Sequence, residues 1–157
     1  IHAARDKLLI TTPYYVPSDA MHDALCLTAR RGVRTVLMLP ENNDSWIVAA
    51  ASRSYYRDLI QAGVQIYEYP DGLLHAKILT LDGEVALIGS ANLDRRSFEL
   101  NYENNVLLQD RELTSSLEAR QESYIGASRQ IQAEEIAEWG RGRRLWNNAV
   151  GMMGPVL

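Results

Sequence analysis

The chain has 157 residues, 46% of them hydrophobic, and a formal net charge of −4. That length supports one globular domain with a sizeable core, and the acidic balance argues against a generally nucleic-acid-binding surface, so nucleic acid is not expected as a partner. One cysteine, Cys26, excludes an internal disulfide, and no run of about 18 apolar residues is present to cross a bilayer.

Residues 7–12 (KLLITT) are apolar and β-prone and predict a strand, closed by a loop at 13–17 whose two prolines bracket Tyr14 and Tyr15. Ser18 then predicts the cap of a helix with Met21, Ala24, Leu25 and Thr28 at helical spacing, ended by Gly32, with Cys26 as a buried thiol inside it. Residues 33–39 predict a buried strand. After a turn at 40–43, Asp44 predicts the cap of a second helix with the stripe Ile47, Ala51, Tyr55, Leu59 and Ala62, stopped by Gly63 before a third strand at 64–69. This alternation predicts an α/β fold: a mixed, largely parallel sheet with helices on both faces. The start on Ile1, directly ahead of a strand, reads as a piece cut from a longer protein.

Residues 74–103 (LHAKILTLDGEVALIGSANLDRRSFELNYE) hold the chemistry. Residues 74–81 are β-prone, Asp82-Gly83 is a hairpin signal, and 84–89 resume the strand pattern. Alternation places His75, Lys77 and Leu79 on one face. A two-residue Asp82-Gly83 loop would pair Leu81 with Glu84, Lys77 with Ile88 and His75 with Ser90, so Ser90 joins that face and Asn92 follows. An imidazole, a fixed ammonium, a hydroxyl and an amide suit attack on a phosphodiester without metal or cofactor. The imidazole serves as nucleophile or proton donor, while Lys77, Ser90 and Asn92 hold the phosphoryl oxygens. Lys77 stands out because, of 16 basic residues, only it and Lys7 are lysines. Asp82, Asp94, Glu99 and Glu103 lack cation-loop spacing, so no metal site is expected. Ser90 is not in a nucleophile elbow. His2 and His22 read as surface or packing residues, and Arg95 and Arg96 more readily as solvated or salt-bridged than as phosphate ligands.

The pattern His75-x-Lys77-x4-Asp82-x6-Gly89-Ser90-x-Asn92 resembles the signature of the phospholipase D superfamily. At about 5% per residue type, six fixed positions over about 150 windows arise on the order of once in a million sequences. The resemblance implies a catalytic histidine, His75, a phosphate clamp of Lys77, Ser90 and Asn92, and a downstream carboxylate, Glu103, that orients the imidazole. Asp82 belongs to the signature and is a candidate catalytic residue, although in an Asp-Gly turn a structural role is the stronger reading. One imidazole cannot both attack phosphorus and protonate the leaving oxygen on its far side. A second histidine is therefore expected from the N-terminal half of the same protein or from a second subunit.

The flanking stretches PYYVP, RSYYRDLIQAGVQIYEY and GSANLDRRSFELNYENNVLL are similar to the second half of bacterial cardiolipin synthases. That resemblance implies transphosphatidylation between two phosphatidylglycerols through a phosphohistidine at the surface of the bacterial cell membrane, without a cofactor, with His75 as general acid and base. Two alternatives stand beside it: a phospholipase D-type phosphodiesterase or homodimeric endonuclease, and a non-catalytic lipid-binding domain. Beyond the motif, Asp110 predicts a helix through Leu113, Leu117, Ala119 and Ile125, continuing to Trp139. The tail 139–157 sets Arg141, Arg143 and Arg144 beside Trp146, Met152, Met153, Val156 and Leu157. Such a tail suits either an anionic membrane or packing on its own domain.

Overall fold

The computed structural model describes residues 1–72 and 74–151. The side chains of Arg141, Arg143 and Arg144, and Met152, Met153, Val156 and Leu157 of the tail, lie outside the described residues. In chain order the elements are β1 (Lys7–Thr11), β2 (Tyr15–Val16), α1 (Asp19–Arg30), β3 (Arg34–Pro40), α2 (Trp46–Ser54), α3 (Tyr56–Ala62), β4 (Gln65–Tyr69), β5 (Ile78–Leu81), β6 (Val85–Gly89), β7 (Leu93–Asp94), α4 (Arg95–Glu99), β8 (Asn105–Gln109), α5 (Arg111–Gly126), β9 (Arg129–Gln130), α6 (Ala133–Glu138) and α7 (Arg141–Gly151). None of the described helices is long and apolar enough to cross a membrane.

The main sheet runs β8-β6-β5-β1-β3-β4-β9, and β2 pairs with β7 in a second, two-stranded sheet. Helical crossovers allow β1, β3 and β4 to lie parallel, whereas β5, β6, β8 and β9 join antiparallel, the hairpin linking β5 to β6 being far too short for a crossover. The sheet is mixed, as the alternation predicts, with its parallel part confined to three central strands. Leu8, Ile10, Leu37, Leu39 and Ile66 meet α1 and α3 on one face. Leu9, Val36 and Met38 meet Tyr124 and Ile125 of α5 on the other.

Four local features differ from the sequence reading. Ser45, not Asp44, caps α2 by accepting the Val48 N–H at 3.4 Å, because the Asp44 carboxylate is taken by the Tyr14 hydroxyl. The expected single helix breaks at Tyr55, so that α2 packs on β2 and α7 while α3 packs on α1. The long C-terminal helix stops at Gly126, since Arg129 is drawn to buried Glu68 at 3.0 Å and β9 pairs with β4. The buried stripe of α5 is Thr114, Glu118 and Gln121 rather than Leu113 and Ala119. The sheet beneath it is itself polar there: Gln121 accepts from Thr80 Oγ1 at 2.6 Å and donates to Thr11 Oγ1 at 3.1 Å.

The hairpin register is also shifted by one. Asp82 and Gly83 form the tight turn at φ +54° and +68°, and the Glu84 N–H bonds the Leu81 carbonyl at 3.0 Å. Leu81 nevertheless pairs with Val85 and Ile78 with Ile88, so the link holds an extra residue, Glu84.

Candidate active site

The β5–β6 hairpin brings the ends of two strands to one edge of the molecule. His75, Ala76 and Lys77 lie just ahead of β5, tied to β6 by the Gly89 N–H donating to the Lys77 carbonyl at 3.3 Å. Gly89 is required there, because a Cβ would collide with the Asn104 carbonyl and the Asn105 side chain of β8. Lys77 donates from Nζ to the His75 carbonyl at 2.9 Å. Its ammonium and the exposed imidazole are thus held on one short segment.

Ser90 arrives by a different route from the one predicted. With the shifted register it lies beyond β6 and is not the cross-strand partner of His75. The β6–β8 ladder, which sets Gly89 opposite Asn105, carries Ser90 to Asn104 and Glu103 instead. The Ser90 hydroxyl donates to Glu103 and accepts the Asn104 N–H at 2.9 Å, and Asn101 Nδ2 donates to the same carboxylate at 3.2 Å. These bonds, led by that of Ser90, hold the Glu103 carboxyl below the usual carboxylate range. Among the described residues, Glu103 is bonded to this polar cluster and not to the His75 imidazole. Its charge reaches Lys77 instead. Burial lowers the pKa of the Lys77 ammonium, and Glu103, Asp44 and Asp94 oppose that shift.

The His75 ring meets Tyr14, edge-on, with centroids 6.4 Å apart and planes at 89°. Tyr14 is positioned by the small β2–β7 sheet, by Thr12 Oγ1 donating to the Tyr14 carbonyl at 2.9 Å, and by the Leu93 N–H donating to Thr12 Oγ1 at 3.1 Å. Its hydroxyl donates to both oxygens of Asp44, at 2.7 and 2.8 Å. Burial, then the Asp44 bond and the charges of Asp44 and Asp94, raise the phenol to about 12, so it stays protonated and remains a donor. Sequence reasoning missed Tyr14 and Asp44. The PYYVP segment was visible, but pairing between two-residue strands leaves no periodic trace.

Asn92 donates its backbone N–H to Ser97 Oγ at 3.1 Å, while its side-chain Oδ1 is buried without a partner among the described residues. It lines a polar cavity of about 310 Å³ together with Tyr14, Val48, Asp94, Arg96 and Asn101. Arg95 pairs with Glu99 at 2.6 Å. A second, apolar cavity of about 400 Å³, lined by Ile10, Leu79, Leu87, Phe98 and Leu107, ends at Lys77. Lys77 thus borders the apolar cavity, while Tyr14 and Asn92 border the polar one.

Asp82 is not part of this cluster. It lies at the far end of β5, about 13 Å along a four-residue strand, and its carboxylate accepts the N–H groups of Arg5, Asp6 and Lys7 at 2.9, 2.9 and 2.8 Å. Burial raises its pKa, but these bonds outweigh that and leave it lowered. It pins the hairpin tip to the start of β1, so the expectation of a catalytic role is replaced by a structural one. His22 packs, with Nδ1 3.0 Å from the Tyr15 hydroxyl. Among the described residues no three His, Cys, Asp or Glu side chains gather as metal ligands.

A sequence profile for the family described as cardiolipin synthase, PLD-like domain, matches residues 1–125. The chain is 43% identical over 150 residues to cardiolipin synthase A of Serratia proteamaculans, covering 96% of this chain and 30% of that protein. It is 46% identical over 156 residues to the Salmonella arizonae protein of the same name, covering 99% and 32%. The chain thus spans about a third of the length of these relatives. Among solved structures, Nuc of Salmonella typhimurium, a phospholipase D family member, matches with a TM-score of 0.73 at 19% identity over 83% of this chain and 85% of that one. Phosphatidylserine synthase of Haemophilus influenzae Rd KW20 matches with a TM-score of 0.72 at 17% identity over 98% and 40%. Identities this low speak for the fold.

Proposed function

The chain belongs to the cardiolipin synthase PLD-like domain family, and from that premise we propose that it supplies one half of the catalytic centre of a membrane phosphatidyltransferase. The reaction joins two phosphatidylglycerols. A histidine nitrogen in the remainder of the longer protein, or in a second subunit, attacks phosphorus. The bond from phosphorus to the glycerol oxygen breaks, and His75, protonated, gives its proton to that oxygen. Neutral His75 then takes the proton from a hydroxyl of the second phosphatidylglycerol, whose oxygen attacks phosphorus and releases the first histidine. Lys77 and Asn92 hold the phosphoryl oxygens as charge develops. Ser90 and Asn101 fix Glu103, and Glu103 sustains the positive charge of Lys77.

The observation that carries this reading is a polar–apolar boundary at His75: Lys77, bonded to the His75 carbonyl, lines an apolar cavity, whereas Tyr14, which meets the His75 ring edge-on, lines a polar one with Asn92. A phosphodiester with a polar headgroup and apolar tails fits such a boundary. The test is the full-length protein on phosphatidylglycerol vesicles, with products separated by mass. Equimolar cardiolipin and free glycerol are expected, and His75→Ala should cut turnover at least about a thousandfold with an unchanged circular dichroism spectrum. Phosphatidic acid in place of cardiolipin makes the enzyme a hydrolase, and near-normal turnover in the variant removes His75 from the mechanism.

A further inference from the structure

Two of the three tryptophans, Trp46 and Trp146, stack face to face on the surface, with ring centroids 5.7 Å apart and planes at 14°. Trp46 is 64% exposed and Trp146 49%, and neighbouring Leu145 is 71% exposed. Burying a tryptophan in a core or interface is strongly favourable, so a stacked and exposed pair is a costly surface feature unless something covers it. We propose that Trp46, Trp146 and Leu145 form a bilayer-docking patch that seats the domain at lipid headgroup depth beside its active site.

Three observations and one general preference support a lipid surface as the occupant. Helix α7 is already anchored on its other side: Asn147 and Val150 are buried, and Val150 packs with Val16, Ala50 and Ala51. The exposed side is therefore held rigidly, and docking it costs little ordering entropy. The patch lies within one helical turn of the site, since α2 begins at Trp46 and Val48 of its first turn lines the polar chamber with Tyr14 and Asn92. The α7 sequence RGRRLWNNAVG contains three arginines and no acid, which complements an anionic surface. Indole rings also favour the headgroup zone, where one edge stays wet and the ring is apolar. This inference rests on the proposal that the substrate is a membrane phospholipid.

The experiment measures binding without turnover. The chain is mixed with vesicles of phosphatidylglycerol and phosphatidylcholine, or of phosphatidylcholine alone, and tryptophan emission and sedimented fraction are recorded. Anionic vesicles should shift the emission to the blue, brominated lipid should quench it, and the bound fraction should fall at least fivefold in the Trp46→Ser/Trp146→Ser double variant. Should that variant fail to fold, Leu145→Asp, at an exposed position, should give a loss of at least threefold. Unshifted emission on anionic vesicles, or equal binding by wild type and folded variants, overturns the proposal. So does a dimer in sedimentation equilibrium that the tryptophan substitutions dissolve, since the patch then belongs to a second copy of the chain. Absence of cardiolipin formation by the full-length protein would overturn the catalytic reading and leave vesicle binding standing.

Discussion

Lys77 is the residue on which the electrostatics of the site converge. Burial favours its neutral form, and three carboxylates oppose that, with Glu103 first among them. Removing the Glu103 charge deepens the depression, so the ammonium is lost at a lower pH. Glu103→Gln should therefore move the alkaline limb of the kcat/KM profile to lower pH and cut activity about tenfold, less than His75→Ala does. A limb that does not move would show that Glu103 acts only on its polar neighbours. At this scale the family signature at His75, Lys77, Ser90 and Asn92 was legible, because it is local and its residue types are few. The hydrogen bonding of Glu103 was not, since it depends on which strand Ser90 faces. Tyr14 and Asp44, 30 residues apart, meet only through tertiary structure.

Strand existence in the β5–β6 hairpin was readable from alternation and the Asp-Gly turn, but register was not, because one extra residue, Glu84, shifts every cross-strand pair. The same turn carries the pin to β1. Asp82 has its pKa held down by three backbone N–H bonds despite the opposing effect of burial. A carboxylate lowered on folding stabilises fully above its unfolded value, near about pH 4, and loses that contribution as pH falls through the lower folded value. Asp82→Asn should cost roughly 1 kcal/mol after allowance for solvent screening, or about 2–4 °C in Tm at this chain length. The gap between wild type and variant should be constant above about pH 5 and close below about pH 4 in thermal melts. A gap independent of pH would mean that the substitution disturbs the turn itself, and no gap at neutral pH that the amide replaces the carboxylate fully. The α5 helix gives the same lesson: its apolar stripe is exposed at Leu113, and its polar side is buried because Thr11 and Thr80 supply partners that no helical periodicity reveals.

Across the whole molecule, the alternation of strands and helices sufficed for an α/β sandwich, whereas its edges did not follow from it. The β4 edge is closed by buried Glu68, 4% exposed, which accepts from Tyr56 OH at 3.0 Å and pairs with Arg53 and Arg129 at 3.4 and 3.0 Å. One carboxylate thereby joins α2, α3, β4 and β9. Glu68→Ala would strand a fully buried phenol and take one partner from each of two guanidinium groups, which keep Glu135 and the Glu41 carbonyl, and should lower stability by roughly 2–3 kcal/mol, or about 5–10 °C in Tm. Denaturant melts check it, and a loss under about 0.5 kcal/mol would show that water replaces the carboxylate.

The ties that hold the β5–β6 hairpin and the segment after it against β1 are long in sequence: 77 residues from Arg5 to Asp82, 81 from Thr12 to Leu93, and 110 from Thr11 to Gln121. Loops of that span close late, because their entropy must be met before any bond rewards it. A nascent chain that has emerged only as far as Glu103 holds His75, Lys77, Ser90, Asn92 and Glu103 in order along the backbone and no pocket to put them in. The pocket around the signature therefore forms with completion of the domain and not with the emergence of the signature itself.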